Sequence, residues 1–240
     1  YGCTFCASGL DGFKRNLEPA EIIDQVLAVE RAQGRAGQCA INNLVIMGMG
    51  EPLLNLAAVK ESIRILTDPK TLAMAPRRIT VSTAGVVPQI RPLLEVGPIN
   101  LAISLHAGTD AVRDELVPLN RRFPLKTLLG ALRSEPLVSR KRPVFFEYTL
   151  MEGVNDSLED AARLPGLLHD IPCKINLIPL NVVFDGFERP SSERASSFRR
   201  RLHQAGVEVF DRGSPGLEVA GACGMLALQR EAPANGSGLA

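Results

Sequence analysis

The sequence contains no tryptophan and only two tyrosines, and its five cysteines include a single close pair. An odd cysteine count with one pair is not the framework of a secreted domain stapled by disulfides, so reduced thiols or metal ligands are expected. No stretch approaches the roughly 18 uninterrupted apolar residues that a membrane span requires. No basic segment followed by an apolar run opens the chain, so no secretory signal is legible and the cytoplasm is the expected compartment. Nor does one sign of charge dominate: 27 Lys and Arg against 26 Asp and Glu leave a formal net charge of +1, which neither demands nor excludes a nucleic-acid partner. No internal repeat or linker divides the chain. With 45% hydrophobic residues over 240 positions, a single domain over residues 1–230 is expected, followed by a disordered tail, "EAPANGSGLA", over residues 231–240.

What is present alternates. Short β-branched apolar runs begin at Asn43, Arg78, Asn100, Val144, Lys174 and Val207. Between them, helical spacing runs from Pro19 to about Gln33, Leu56 to Leu66, Pro88 to Glu95, Leu125 to Leu137, Ser157 to His169 and Ser191 to Gln204. Strand–helix alternation of this kind predicts an α/β fold with a parallel sheet whose strands are apolar on both faces. A curled sheet is expected, an incomplete (β/α)6 barrel with parallel strands. Small and polar residues fall at or just past strand ends, at Gly48 to Glu51, Ser82 to Gly85, Ser104 to His106 and Asn176 to Asn181. Those ends share the rim on which parallel α/β folds bind ligands. Each alone is also an ordinary turn; the repetition marks a site.

Cys3-Thr4-Phe5-Cys6 has the spacing of zinc knuckles, of thioredoxin-like redox pairs and of iron–sulfur ligands. Cys39, Cys173 and Cys223 are isolated, and His106, His169 and His203 are spread along the chain, so a closed zinc site has no second half. By itself His106 reads as a structural histidine, and Cys223 in "VAGACGML" as a small packing residue. Cys39 stands in no motif, and Cys173 opens a strand, where burial is expected. The basic clusters Arg77-Arg78, Arg121-Arg122, Arg140-Lys141-Arg142 and Arg199-Arg200-Arg201 read as solvated surface charge when taken alone.

Together, "GCTFCASG", "GFKRNL" from Gly12, "GMGEPLLN" from Gly48, "RITVSTAGVVP" from Arg78, "LAISLHA" from Leu101, "EYTLMEGVND" from Glu147, "PCKINLIPLN" from Pro172 and "ACG" from Ala222 resemble the radical S-adenosylmethionine enzymes. Within them they resemble the ribosomal RNA adenine methyltransferases of the RlmN/Cfr type, nearly from end to end. The resemblance implies that Cys3 and Cys6 are the last two ligands of a Cys-x-x-x-Cys-x-x-Cys motif holding a 4Fe-4S cluster. The first ligand is then expected two positions before Tyr1. It further implies S-adenosylmethionine contacts from Gly50, Glu51, Ser82, Ser104, Leu105, His106 and Asn181. The carboxylate of Glu51 is expected on the cofactor's ammonium group, and Asn181 near its adenosine portion.

The family's chemistry answers the electron-poor character of adenine carbon 2, which is no nucleophile but accepts a carbon radical. By resemblance, Cys223 takes a methyl group as a thiolate. A second cofactor molecule yields a 5'-deoxyadenosyl radical that abstracts hydrogen from this methyl group, and the carbon radical then attacks the adenine. A base removes the ring proton, and a second cysteine forms a disulfide with Cys223 to release the product. Both those groups are expected upstream. The implied activity is methylation of carbon 2 of adenine in large-subunit ribosomal RNA, and of transfer RNA, by a monomer that receives electrons from a donor such as a flavodoxin. Methylation of carbon 8 by the same residues, and a cluster-free barrel that only binds RNA or a nucleotide, remain alternatives. Two departures from the family bear on the substrate: "PLNVVFDGF" lacks a proline after the asparagine, and "GLEVAGACG" lacks the common aspartate-rich lead.

Overall fold

The computed structural model describes residues 2–6, 9, 12–33, 41–181 and 186–211. Cys39, Cys223 and the 231–240 tail lie outside the described residues. Six strands form one sheet: β1 (Leu44–Ile46), β2 (Ile79–Thr83), β3 (Asn100–Ser104), β4 (Val144–Leu150), β5 (Cys173–Pro179) and β6 (Val209–Asp211). They pair in sequence order, and each pairing is parallel. The connections carry α1 (Pro19–Gln33), α2 (Leu56–Thr67), α3 (Ile90–Leu94), α4 (Asp110–Leu116), α5 (Leu125–Ser134), α6 (Leu158–Leu167) and α7 (Ser192–Gln204).

Helix boundaries follow local chemistry. The Oγ of Ser157 accepts from the amide of Asp160 at 3.0 Å and so caps α6. Helix α5 ends at Ser134, short of the expected Leu137, because Pro136 drives Glu135 into an extended conformation (φ −82°, ψ 109°). The sequence reading missed α4, which Thr109 caps with a bond from the amide of Val112 to its Oγ1.

Sequential strand order with right-handed crossovers places the connecting helices on one face of the sheet. That face is apolar. Val81, Leu101, Val144, Phe146, Ile175 and Leu177 are buried on it, and Tyr148 packs its ring on Phe198 of α7, with centroids 5.4 Å apart. Full burial of such side chains stabilises by about 1.5–3 kcal/mol each. The opposite, inner face is mixed, with Thr80, Ser82, Ser104, Glu147, Thr149, Lys174 and Asn176 set among Val45, Ala102, Phe145, Ile178 and Phe210. The expectation of strands apolar on both faces therefore holds only in part, since polar side chains interrupt the inner face. Helices cover only one face, and the alternation of strand side chains leaves the other to line the interior of a curled sheet. Its edge strands open to solvent, with Val45 and Phe210 each 43% exposed.

Candidate active site

Four segments meet at the carboxyl-terminal ends of the strands. The first is the cysteine loop. The amide of Thr4 donates to the carbonyl of Leu116 at 3.2 Å, and its hydroxyl donates to the carbonyl of Glu115 at 3.1 Å, so the loop sits on the last turn of α4. Phe5, between the two cysteines, meets the His106 ring edge-on at 4.8 Å between centroids. The amide of Cys6 closes the turn by donating to the carbonyl of Cys3 at 3.1 Å. Burial, and then the neighbouring Cys6, push the Cys3 thiol up to about 11. Two soft sulfur donors three positions apart suit a thiophilic cation such as iron in an iron–sulfur cluster or zinc. Among the described residues, no group of three or more Cys, His, Asp or Glu could hold a metal ion.

The second segment follows β1. Gly48 (φ 123°) and Gly50 (φ 86°) take left-handed conformations that turn the chain back over the rim. Glu51 then caps a short 3-10 turn. Its carboxylate accepts from the amide of Leu53 at 3.0 Å, from the amide of Ala84 at 2.7 Å and from the hydroxyl of Thr83. Burial raises its pKa, and these three hydrogen bonds oppose the shift. The side chain thus braces the loop after β1 against the end of β2. A carboxylate offers about four acceptor sites, so there is room for one further donor.

The third segment ends β3. Ser104 points from the inner face in register with Glu147. Leu105 is fully buried; its amide donates to the carbonyl of Glu147 at 3.0 Å. His106 adopts φ 56° and lies beneath the rim, only 5% exposed. Its Nδ1 accepts from the amide of Thr149 at 3.0 Å. Burial, and then the charge of Arg113, hold this imidazole down at about 3. At neutral pH it is an uncharged ring with its proton on Nε2. Ser82 lies on the inner face of β2, buried and in register with Ala102.

The fourth segment joins β4 and β5. Asn176 donates to Oε1 of Glu147 across the pair at 2.9 Å, and Asn181 lies two residues past the end of β5. Cys173 is half-buried at the start of β5, at the opposite end of the sheet. Burial raises its thiol to about 11. His169 lies exposed just past α6, where it pairs with Asp170, and His203 is exposed near the end of α7.

Three rim residues escaped the sequence reading. Arg113 of α4 is fully buried. Its Nε donates to the carbonyl of Leu105 at 3.0 Å, and its Nη2 donates to the carbonyls of Ala84 at 2.7 Å and Ser104 at 2.9 Å. Asn155 donates to the carbonyls of His106 at 2.6 Å and Thr149 at 2.7 Å. Glu147 is the lone charge in "VFFEYTL" and only 3% exposed. A signal for Arg113 was available, since it shares a helical stripe with Leu116 and Val117, where a charge must be buried.

The basic clusters divide. Arg77-Arg78 precede β2 and Arg140-Lys141-Arg142 precede β4, at the amino-terminal end of the sheet. Arg199 pairs with Asp211. Arg121 and Arg122 instead follow α4, whose last turn carries the cysteine loop. The amide of Leu125 donates to Asp110 at 2.8 Å, holding the start of α5 at the rim as well.

Four matches to known proteins bear on this site. The family profile described as "Radical SAM superfamily" matches residues 1–164. The chain is 47% identical over 229 residues to the "Dual-specificity RNA methyltransferase RlmN" of Syntrophobacter fumaroxidans, covering 95% of this chain and 66% of that protein. It is 48% identical over 232 residues to the protein of the same name from Desulfotalea psychrophila, covering 94% of this chain and 64% of that one. The chain thus spans somewhat less than two thirds of the length of these relatives. A crystal structure of a radical SAM methyltransferase from Sphaerobacter thermophilus superimposes with a TM-score of 0.86 at 43% identity, over 93% of this chain and 66% of that one.

Proposed function

We propose, from the premise that this chain belongs to the radical SAM superfamily, that it is the catalytic domain of an RNA methyltransferase. Its reaction places a methyl group on carbon 2 of an adenine in large-subunit ribosomal RNA, and in transfer RNA. Its cofactors are a 4Fe-4S cluster and S-adenosylmethionine. The observation that carries this reading is the docking of the Cys3–Cys6 loop on the polar rim, through Thr4 on α4 and Phe5 on His106. It sets two thiols beside the segments that hold Glu51, Ser82 and Ser104.

Cys3 and Cys6 would each ligate one iron of the cluster. When bound, the cluster supplies one electron to the sulfonium of S-adenosylmethionine. The chain's own groups do the rest of the positioning. Gly50 and Glu51 receive the amino-acid end of the cofactor, with the remaining acceptor site of Glu51 on its ammonium group. Ser82, Ser104 and the backbone around Leu105 and His106 line its path along the inner face. Asn181 reaches its adenosine portion. Cys223, outside the described residues, is the methyl carrier.

RNA approaches over the same rim. With a formal net charge of +1 a local patch must attract the phosphates, and exposed Arg121, Arg122 and Lys126 lie on that side. No described helix is long and apolar enough to cross a membrane. The reading places the enzyme in the cytoplasm, as a monomer served by an electron donor such as a flavodoxin.

Mass mapping of RNA treated anaerobically with the intact protein tests the assignment. A single methyl group on adenine carbon 2 is expected, and Cys223→Ala should abolish it while cofactor cleavage continues. Methylation retained in that variant contradicts the carrier role, and a carbon 8 product contradicts the position.

A further inference from the structure

We infer that Arg113 is the positioning residue that locks the cysteine loop to the cofactor rim. The inference rests on the reading of that rim as the S-adenosylmethionine site and deepens it. A single guanidinium gathers four acceptors: the carbonyls of Ala84 after β2, Ser104 at the end of β3 and Leu105 beyond it, and Oδ1 of Asn120 at 2.7 Å. Two of the segments expected to hold the cofactor are thereby fixed at one height. Arg113 belongs to α4, and one turn further on the carbonyls of Glu115 and Leu116 hold Thr4 between the two cysteines. Rim and loop therefore share one rigid link.

The charge is arranged to serve this link. No described carboxylate is hydrogen-bonded to the guanidinium. Asp110 and Asp114 are instead held by Nδ2 of Asn120, at 2.9 and 2.6 Å, and Asn120 turns its oxygen to Arg113. The guanidinium thus faces carbonyls with its charge uncancelled by a direct ion pair. Lysine retains that charge but lacks the planar fork needed to span four acceptors.

The test uses the intact, anaerobically reconstituted protein carrying Arg113→Lys. The readouts are the dissociation constant for S-adenosylmethionine and the change it causes in the electron paramagnetic resonance spectrum of the reduced cluster, beside circular dichroism and melting temperature. Weakening of cofactor binding by about tenfold or more is expected, with the spectral change lost at cofactor concentrations that saturate the parent. A lowered melting temperature with unchanged binding and unchanged spectra would reduce Arg113 to a structural residue and overturn the inference. If Arg113→Lys does not fold, Asn120→Ala decides instead, since it removes one of the four acceptors. Binding weakened a few-fold supports the lock, and unchanged binding overturns it. A parent protein that binds no S-adenosylmethionine would contradict the functional reading itself, whereas activity on some other substrate would leave this test intact.

Discussion

At the amino-terminal end of the sheet, Arg142 donates to the carbonyls of Leu94, Gly97 and Ile99 at 3.1, 2.5 and 2.9 Å. At the carboxyl-terminal end, Arg113 makes a similar set of bonds to Ala84, Ser104 and Leu105. Both tie loops around β3 together, and burial lowers the pKa of both. Around Arg142 lie exposed Arg140 and Lys141, the turn closed between Ser139 and Arg142, and the buried carboxylate of Glu135. Around Arg113 lie the cysteine loop, a buried histidine and the serines of the inner face. The same device closes the fold at one end and organises a site at the other, as expected for a parallel α/β fold with function confined to one rim.

Replacing each arginine by leucine sharpens this contrast. Arg113→Leu leaves several buried carbonyls without donors, and a loss of about 3 kcal/mol or more is expected in chemical denaturation, together with loss of cofactor binding. Next in size is the pH dependence set by His106. Its folded pKa of about 3 lies below the roughly 6.5 of an unfolded histidine, so the unfolded chain takes up the proton first. The stabilisation from burying the neutral ring is complete above that upper value and is lost as pH falls through the window toward 3. Between pH 7 and 5 the loss approaches about 2 kcal/mol. His106→Asn, which tolerates the left-handed backbone, should flatten this dependence in denaturation curves. Arg142→Leu, at a half-buried position, should cost about 1–2 kcal/mol and leave the dissociation constant for S-adenosylmethionine unchanged; weakened binding would break the comparison. Ser104→Ala should alter stability by less than about 0.5 kcal/mol and still weaken cofactor binding measurably.

The alternation of apolar runs and helical spacing made the parallel sheet legible, because short connections leave few other topologies. Strand ends were legible too, since glycine and serine cluster where the chain turns onto the rim. The polar inner face was not. "VFFEYTL" and "KINLIPLN" look apolar throughout until the curled sheet assigns alternate residues to an interior. Arg113 was hidden among the charges of "DAVRDELVPLN", since a sequence does not reveal which charge faces inward unless the helix itself is recognised. Glu51 was expected to serve the cofactor, but that the amide of Ala84, just past the next strand, would occupy one of its oxygens is a tertiary fact. Cys223 was singled out by resemblance alone and lies outside the described residues.

The central claim, that the Cys3–Cys6 loop holds a cluster at this rim, is tested most directly by iron and acid-labile sulfide analysis of the intact protein after anaerobic reconstitution, with Cys6→Ala as the comparison. The account predicts a brown protein with about four irons and four sulfides per chain, and loss of both in the variant. A colourless parent, or a variant that retains the full complement of iron and sulfide, would contradict it.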